Sequence, residues 1–259
     1  MAEFDLAEYE NANPMVTLQG VNYFIPNQHC LWRVNSLFEK EPDTMEWISK
    51  FSEDDILIDI GANVGMYTVW AAVKQKIKVY AFEPESQNYA LLCKNLMGND
   101  LQDQVLAYCV AISDETADNS NVLFNKLNLS GLTPGGSCHS FGEEVDFNLD
   151  PRPSSFRQGS LCLSLDHFIE TSEIANTKSR IHIKIDVDGI EHKVVASAIN
   201  TFKSPRTQSV LIELNTKLES HNKIVGLMEN LGFATTIHPS AIRKEGPFKG
   251  IGNHIFVRG

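Results

Sequence analysis

Two carboxylates and a pair of glycines in the first third of the chain have the types and spacing to hold a ligand. The run "ILIDIGANVG" (56–65) sets Asp59 two positions before Gly61 and puts Asn63 midway between Gly61 and Gly65. A turn that cradles a pyrophosphate reads G-x-G-x-x-G, and its middle glycine lets the backbone approach the phosphates. Here the pattern is D-x-G-x-N-x-G, so no such glycine triplet can be made, and Asp59 would repel a phosphate. A carboxylate at that place suits a cation, contacted directly or through a water. S-adenosylmethionine offers an ammonium and a sulfonium and has no phosphate, and the turn fits it better than a dinucleotide. Glu83, 24 positions after Asp59, ends the next β-rich run, "KVYAFEP" (78–84). A carboxylate there can accept hydrogen bonds from ribose hydroxyls. The structural alternative makes Asp59 a helix cap and Glu83 a solvated strand end; the paired spacing favours the ligand.

A second group lies in "IHIKIDVDGIEHKVVASA". Asp186 ends a strand-like run, and ligands of open α/β sheets sit at the carboxyl ends of strands. It is therefore the first candidate to contact a reacting substrate, with capping of the following helix as its structural alternative. His192 competes as a base because imidazole titrates near neutrality. Its position in the first turn of a helix also suits a solvent-facing side chain. Glu191 reads as structural, favoured there by the helix dipole. Asp186, Glu213 and Asn215 together offer hard oxygen ligands for a divalent ion such as Mg²⁺. Glu213 could equally meet a basic neighbour within its strand, and a metal-free site is the preferred reading. Of the other histidines only His139, in "GGSCHS", sits where a mobile insertion could deliver it to a substrate.

Elements able to position these groups follow from the pattern. Short apolar runs at 56–62, 78–84, 104–113, 181–187 and 209–215 alternate with helical patterns at 66–73, 86–99 and 189–202. Such alternation predicts a parallel sheet covered on both faces. "LGFATTIHPS" and "NHIFVRG" suggest a hairpin-like finish at one sheet edge. Two segments fall outside this rhythm. Residues 1–50 read as an N-terminal extension with an extended stretch, "MVTLQGVNYFIPN", and a helix beginning in "EPDTMEWISKFS", packed on a domain spanning 51–259. Residues 118–160, rich in Asn, Ser, Gly and Pro, read as an irregular insertion; such a segment in a compact domain is a lid, a binding loop or disordered, and the lid is the preferred reading.

Composition narrows the partners. Lys and Arg number 22 against 33 Asp and Glu, a net charge of −11, which argues against nucleic acid. The start "MAEFDLAEYE" lacks the basic and apolar regions of a secretory signal, and no apolar run is long enough to span a bilayer. The five cysteines are scattered without a C-x-x-C pair, as expected of free thiols in a reducing compartment. These features predict a cytoplasmic protein without a membrane partner.

"DILIDIGANVGMYTVWAA" and "VYAFEPESQNYALLCKNL" resemble a class I S-adenosylmethionine-dependent methyltransferase. "SLDHFI", "IHIKIDVDGIEHKVVASA" and "VLIELN" narrow the resemblance to the FkbM-type family, in which K-I-D-V-E-G-x-E commonly follows the fourth strand. It spans about residues 43–259. Asp188 replaces the more usual glutamate, the insertion is longer than expected, and the first 42 residues carry no family signature. The resemblance implies a Rossmann-like α/β fold: a seven-stranded, mostly parallel sheet, helices on both faces and a reversed last strand. It implies S-adenosylmethionine at Asp59, Gly61, Ala62, Asn63, Gly65, Glu83, Pro84 and Ala111. Asp186, Asp188 and His192 are then the candidates to act on the acceptor. O-methylation of a sugar or small metabolite is the implied reaction. Methylation of protein or RNA, or cofactor binding without chemistry, are the alternatives; the "N-P-P-Y"-type signature of amino methylation is absent, "DVDG" standing in its place.

Overall fold

The computed structural model describes residues 12, 14–114, 122–236 and 242–259. The first eleven residues, the beginning of the 118–160 segment and His238 lie outside the described residues. The chain opens with an antiparallel hairpin of β1 (Met15–Leu18) and β2 (Val21–Phe24), then α1 (Gln28–Asn35), α2 (Leu37–Lys40) and α3 (Pro42–Ile48). The core alternates: β3 (Ile56–Ile60), α4 (Met66–Gln75), β4 (Lys78–Phe82), α5 (Ser86–Met97) and β5 (Val105–Tyr108). Short β6 (Ala111–Ile112) leads to β7 (Val122–Leu129), β8 (Ser140–Phe141), β9 (Phe156–Leu163) and α6 (Leu165–Thr171). The chain returns through β10 (Ile181–Ile185), α7 (Glu191–Ala196), α8 (Ile199–Lys203), β11 (Thr207–Asn215), α9 (Glu219–Asn230), β12 (Phe233–Thr236) and β13 (Ile251–Arg258).

Seven strands form the main sheet in the order β12-β13-β11-β10-β3-β4-β5. Only β13 runs against its neighbours, so the sheet is mainly parallel with a reversed last strand and a hairpin-like finish. β3 is buried at every position. Successive side chains of a strand point to opposite faces, and the two cores sort accordingly. Leu57, Val79 and Ala81 join the core beneath α3, α4 and α5. Ile56, Ile58, Ile60, Tyr80 and Phe82 join the opposite core with residues of α6, α7, α8 and α9. Sheet order reverses direction between β3 and β10, and the crevice at such a switch point is where open α/β sheets bind ligands.

Three expectations need correction. The 118–160 segment is not irregular throughout: two strands frame it, while residues 130–155 between them are mostly loop apart from the two-residue β8. β7 pairs along its whole length with β9 in a second sheet of order β6-β9-β7-β8. The run at 104–113 is two strands in two sheets, because the chain leaves β5 after Tyr108 and pairs again only at Ala111 with Cys162. The helix over 189–202 is two, α7 and α8. Asp166 of α6 makes that break favourable: its carboxylate accepts from Asn200 N, Thr201 N and Thr201 Oγ1 at 2.9, 2.7 and 2.7 Å, satisfying donors at the start of α8.

The N-terminal elements are tied to the core by specific contacts. Asn95 Oδ1 accepts from Phe24 N at 2.7 Å, while its Nδ2 donates to Val64 O at 2.7 Å. Tyr23 Oη donates to Met66 O at 3.0 Å, and Trp47 Nε1 to Ser209 Oγ at 2.8 Å. No helix among the described residues is long and apolar enough to cross a membrane. The cap on α8 gives a first expected outcome. Asp166→Ala should lower unfolding free energy by about 1–2 kcal/mol, read from urea denaturation, and an unchanged midpoint would show that α8 does not rely on it.

Candidate active site

A cavity of about 540 Å³ opens at the carboxyl ends of β3, β4 and β10. The glycine turn forms its floor. Gly61 and Ala62 donate their backbone N–H groups to Phe82 O at 2.9 and 3.0 Å, pinning the turn to the end of β4. Gly61 has φ +81°, and a β-carbon there would stand 1.9 Å from Asp186 O. Only glycine permits that approach of the turn to the end of β10. Gly65, also left-handed at φ +83°, leaves the cavity and begins α4, where a β-carbon would meet Leu92.

Glu83 follows β4 and is 5% exposed. Its Oε2 accepts from Asn63 N at 2.8 Å and its Oε1 from Glu85 N at 3.0 Å. Burial pushes the Glu83 carboxyl up to about 7, against those amide donors, which favour the charged form. Glu85 caps α5 by accepting from Gln87 N and Asn88 N. Asn88 Oδ1 then accepts from Gly135 N at 2.8 Å. Gly136 O receives both Asn88 Nδ2, at 3.1 Å, and Asn63 Nδ2, at 2.6 Å. The segment after β7 is thus strapped across the glycine turn.

Asp186 and Asp188 enter from the loop after β10. Asp186 Oδ2 pairs with Lys184 Nζ at 2.9 Å, and Lys184 is 2% exposed. Asp188 takes φ +60°, and its Oδ2 accepts from Cys138 N at 2.6 Å. Burial first, then the charge of Asp186, raises the Asp188 carboxyl above its ordinary range. Glu191 accepts from Val187 N at 3.0 Å and Gly189 N at 3.1 Å, so it closes this loop and Asp186 does not cap the helix. The Glu191 carboxyl is pushed up to about 8 by burial. Apolar walls come from Ile60, Phe82, Val110, Ile112 and Phe141, while Arg33 and Lys40 reach in from α1 and α2.

The sequence-derived residues divide three ways. Gly61, Asn63, Glu83, Pro84, Ala111, Asp186 and Asp188 line the cavity together. Ala62 lines a small adjoining hollow instead. Asp59 and His192 are corrected, for neither lines the cavity. Asp59 is 1% exposed, and its Oδ2 accepts from Thr68 Oγ1 of α4 at 2.6 Å. Its carboxyl is raised by burial, with the Lys184 ammonium acting in the opposite direction. His192 turns toward His221 of α9, with ring centroids 5.8 Å apart. The ring of His139 does line the cavity, and its Nε2 has no partner among the described residues. Its Nδ1 accepts from Ser130 N at 3.2 Å, which leaves the proton on Nε2 as a donor.

Of the oxygen ligands considered for a metal, Glu213 pairs with Arg243 at 3.1 Å. Asn215 Nδ2 is held by Phe147 O and Asn148 Oδ1. No group of three His, Cys, Asp or Glu side chains among the described residues is placed to hold an ion. Sequence reasoning missed Arg33, Lys40, Arg243 and the Asn88 clamp. Only Asn88 carried a local signal, three residues after the Glu85 cap.

The family model of the methyltransferase FkbM domain matches residues 59–234. A hexuronic acid methyltransferase, AglP of Haloferax volcanii, is 22% identical over 189 residues, covering 73% of this chain and 68% of that protein. Solved structures with similarity include TYW2 of M. jannaschii in complex with AdoMet, at TM-score 0.47 and 14% identity, covering 95% of this chain and 86% of that one. An rRNA methylase from Streptococcus thermophilus aligns at TM-score 0.48 and 11% identity, covering 84% and 94%.

The close approach at Gly61 gives a direct expectation. Gly61→Ala should destabilise the protein by about 1–3 kcal/mol from the left-handed backbone alone, with displacement of the Asp186 loop adding to it. Denaturant unfolding within about 0.5 kcal/mol of wild type, the scatter of neutral substitutions, would contradict this geometry.

Proposed function

The chain belongs to the methyltransferase FkbM family and is an S-adenosylmethionine-dependent methyltransferase, and from that premise we propose that it methylates a hydroxyl oxygen of a sugar or small metabolite on a class I methyltransferase fold. One observation carries the reading: a buried, amide-pinned Glu83 and the Asp186–Asp188 pair face a single cavity.

The residues present fit the cofactor. Glu83 is oriented by Asn63 and Glu85 amides, which leaves lone pairs for ribose hydroxyls. Phe82, Val110, Ala111 and Ile112 offer an apolar wall for a purine. S-adenosylmethionine, when bound, supplies an electrophilic methyl group on a positively charged sulfur. Much of the acceleration in such a displacement comes from alignment, which the pinned turn, strap and Asp loop provide here. An alcohol also needs its proton removed, a contribution of about 10²–10⁴-fold. The Asp186–Asp188 pair is the proposed acceptor of that proton. Asp186 is committed to Lys184, while Asp188 has the raised proton affinity that a base requires. His139, presenting an Nε2–H donor, orients the acceptor or the nucleoside.

The strap across the glycine turn and the chain's acidic balance favour a small acceptor over RNA or protein. The activity named for the Haloferax relative supports a saccharide. The metal alternative is not used, since Glu213 and Asn215 already have partners.

Two outcomes test this reading. Ribose donors favour the charged form of Glu83, so its pKa in the complex falls below the value of about 7 in the free protein. Affinity for S-adenosylhomocysteine should therefore rise as pH climbs through about 7 and level off above it. Calorimetry near pH 6.5 should detect proton release; affinity flat from pH 5.5 to 8.5 would count against the ribose assignment. Asp188→Asn keeps an oxygen for Cys138 N, so the loop should hold. Turnover should drop by about 10²-fold or more while S-adenosylhomocysteine affinity stays within a few fold. Near wild-type turnover would place the base elsewhere.

A further inference from the structure

Arg33 and Lys40 stand outside residues 59–234, yet they face the glycine turn. They are delivered by α1 and α2. Both line the main cavity and also a smaller hollow of about 40 Å³ beside it, whose walls include Gly61, Ala62, Asn63 and Asp186. That hollow presents both signs of charge: cations from the N-terminal helices and, on the far side, the Asp186 carboxylate with Lys184, also in the wall, paired to its Oδ2. Lys40 is partly committed, pairing with Glu41 at 2.8 Å. Arg33 uses Nε to donate to Gly135 O at 2.8 Å, which orients the guanidinium through the strap. Its two terminal nitrogens have no hydrogen-bond or ion-pair partner among the described residues.

We infer that Arg33, with Lys40 beside it, holds the α-carboxylate of the methionine portion of S-adenosylmethionine. The inference rests on the cofactor reading above and adds a subsite to it. A guanidinium with free terminal N–H groups is matched geometrically to a carboxylate. Asp186, whose Oδ2 is taken by Lys184, has its other oxygen to offer the α-ammonium of the same zwitterion. Placing the amino-acid tail here leaves the apolar end of the cavity, at Phe82, Val110 and Ile112, for the nucleoside. The segment before residue 59 would then complete the cofactor site.

Calorimetry without acceptor separates this from other roles of Arg33. S-adenosylhomocysteine carries the amino-acid tail, and 5′-methylthioadenosine is the same nucleoside without it. Arg33→Ala should weaken S-adenosylhomocysteine about 10–100-fold, the size of a lost charged hydrogen bond. It should leave 5′-methylthioadenosine within about twofold, and Arg33→Lys should recover part of the loss. Equal S-adenosylhomocysteine affinity in wild type and Arg33→Ala would overturn the assignment and leave Arg33 to the acceptor. Equal weakening of both nucleosides would overturn it too, showing that Arg33 acts only by anchoring the strap. If wild type binds neither nucleoside, the cofactor reading itself fails.

Discussion

The site depends on one steric allowance, the missing side chain at Gly61. Because nothing projects from that residue, the turn after β3 lies against the backbone of Asp186 at the end of β10. The same turn is fastened on its other side to the end of β4 through Phe82 O. Three strand ends are thereby drawn to one point, and the groups that follow them, Asn63, Glu83 and the Asp186–Asp188 loop, cannot avoid facing one another. A side chain at Gly61 would push the turn bearing Asn63, and Glu83 with it, away from the Asp186–Asp188 loop.

Around this point the polar groups are arranged at an electrostatic cost. Glu83 and Glu191 are carboxylates whose burial raises their proton affinity; backbone donors offset it at both, joined at Glu83 by the Asn88 side chain. Buried charges are tolerated where such donors or counter-charges meet them. Glu83 is held by two amides and the Asp186 loop by Glu191, so each acid is oriented before any ligand arrives. The N-terminal helices and the strap at Gly135–Gly136 close the remaining sides, with Arg33, Asn63 and Asn88 as the ties. Preorganised groups lose less on binding, and that is the physical content of a site built for alignment.

Much of this was legible in the chain. The five apolar runs announce buried parallel strands, and Gly61, Glu83 and Asp186 fall where strands end. Asp59 shows the limit of such reading. It lies within β3, sharing the face of Leu57, so its side chain points under α4 to Thr68 and not out of the strand end. Position along the strand separates it from Glu83: the two share strand parity, but Glu83 lies one residue beyond the end of β4, where its carboxylate reaches the cavity. His192 was misplaced because its surroundings are set by α9, far along the chain. The second sheet was hidden by composition. β7 and β9 expose residues such as Phe124 and Arg157 on one side and interleave polar residues, so their period-two signal is diluted by Asn, Ser and Gly. Arg33 and Lys40 could not be assigned from sequence at all, since only tertiary contact brings them to the turn.

The central claim is that the Glu83 carboxylate, pinned by two backbone amides, is the ribose anchor of a sulfonium nucleoside. A crystal structure with S-adenosylhomocysteine tests it most directly. The account predicts ribose hydroxyls within hydrogen-bond distance of Glu83 and the purine against Phe82 and Ala111. Electron density for the nucleoside elsewhere, with Glu83 touching only Asn63 N, Glu85 N and Asn88 Nδ2, would contradict it.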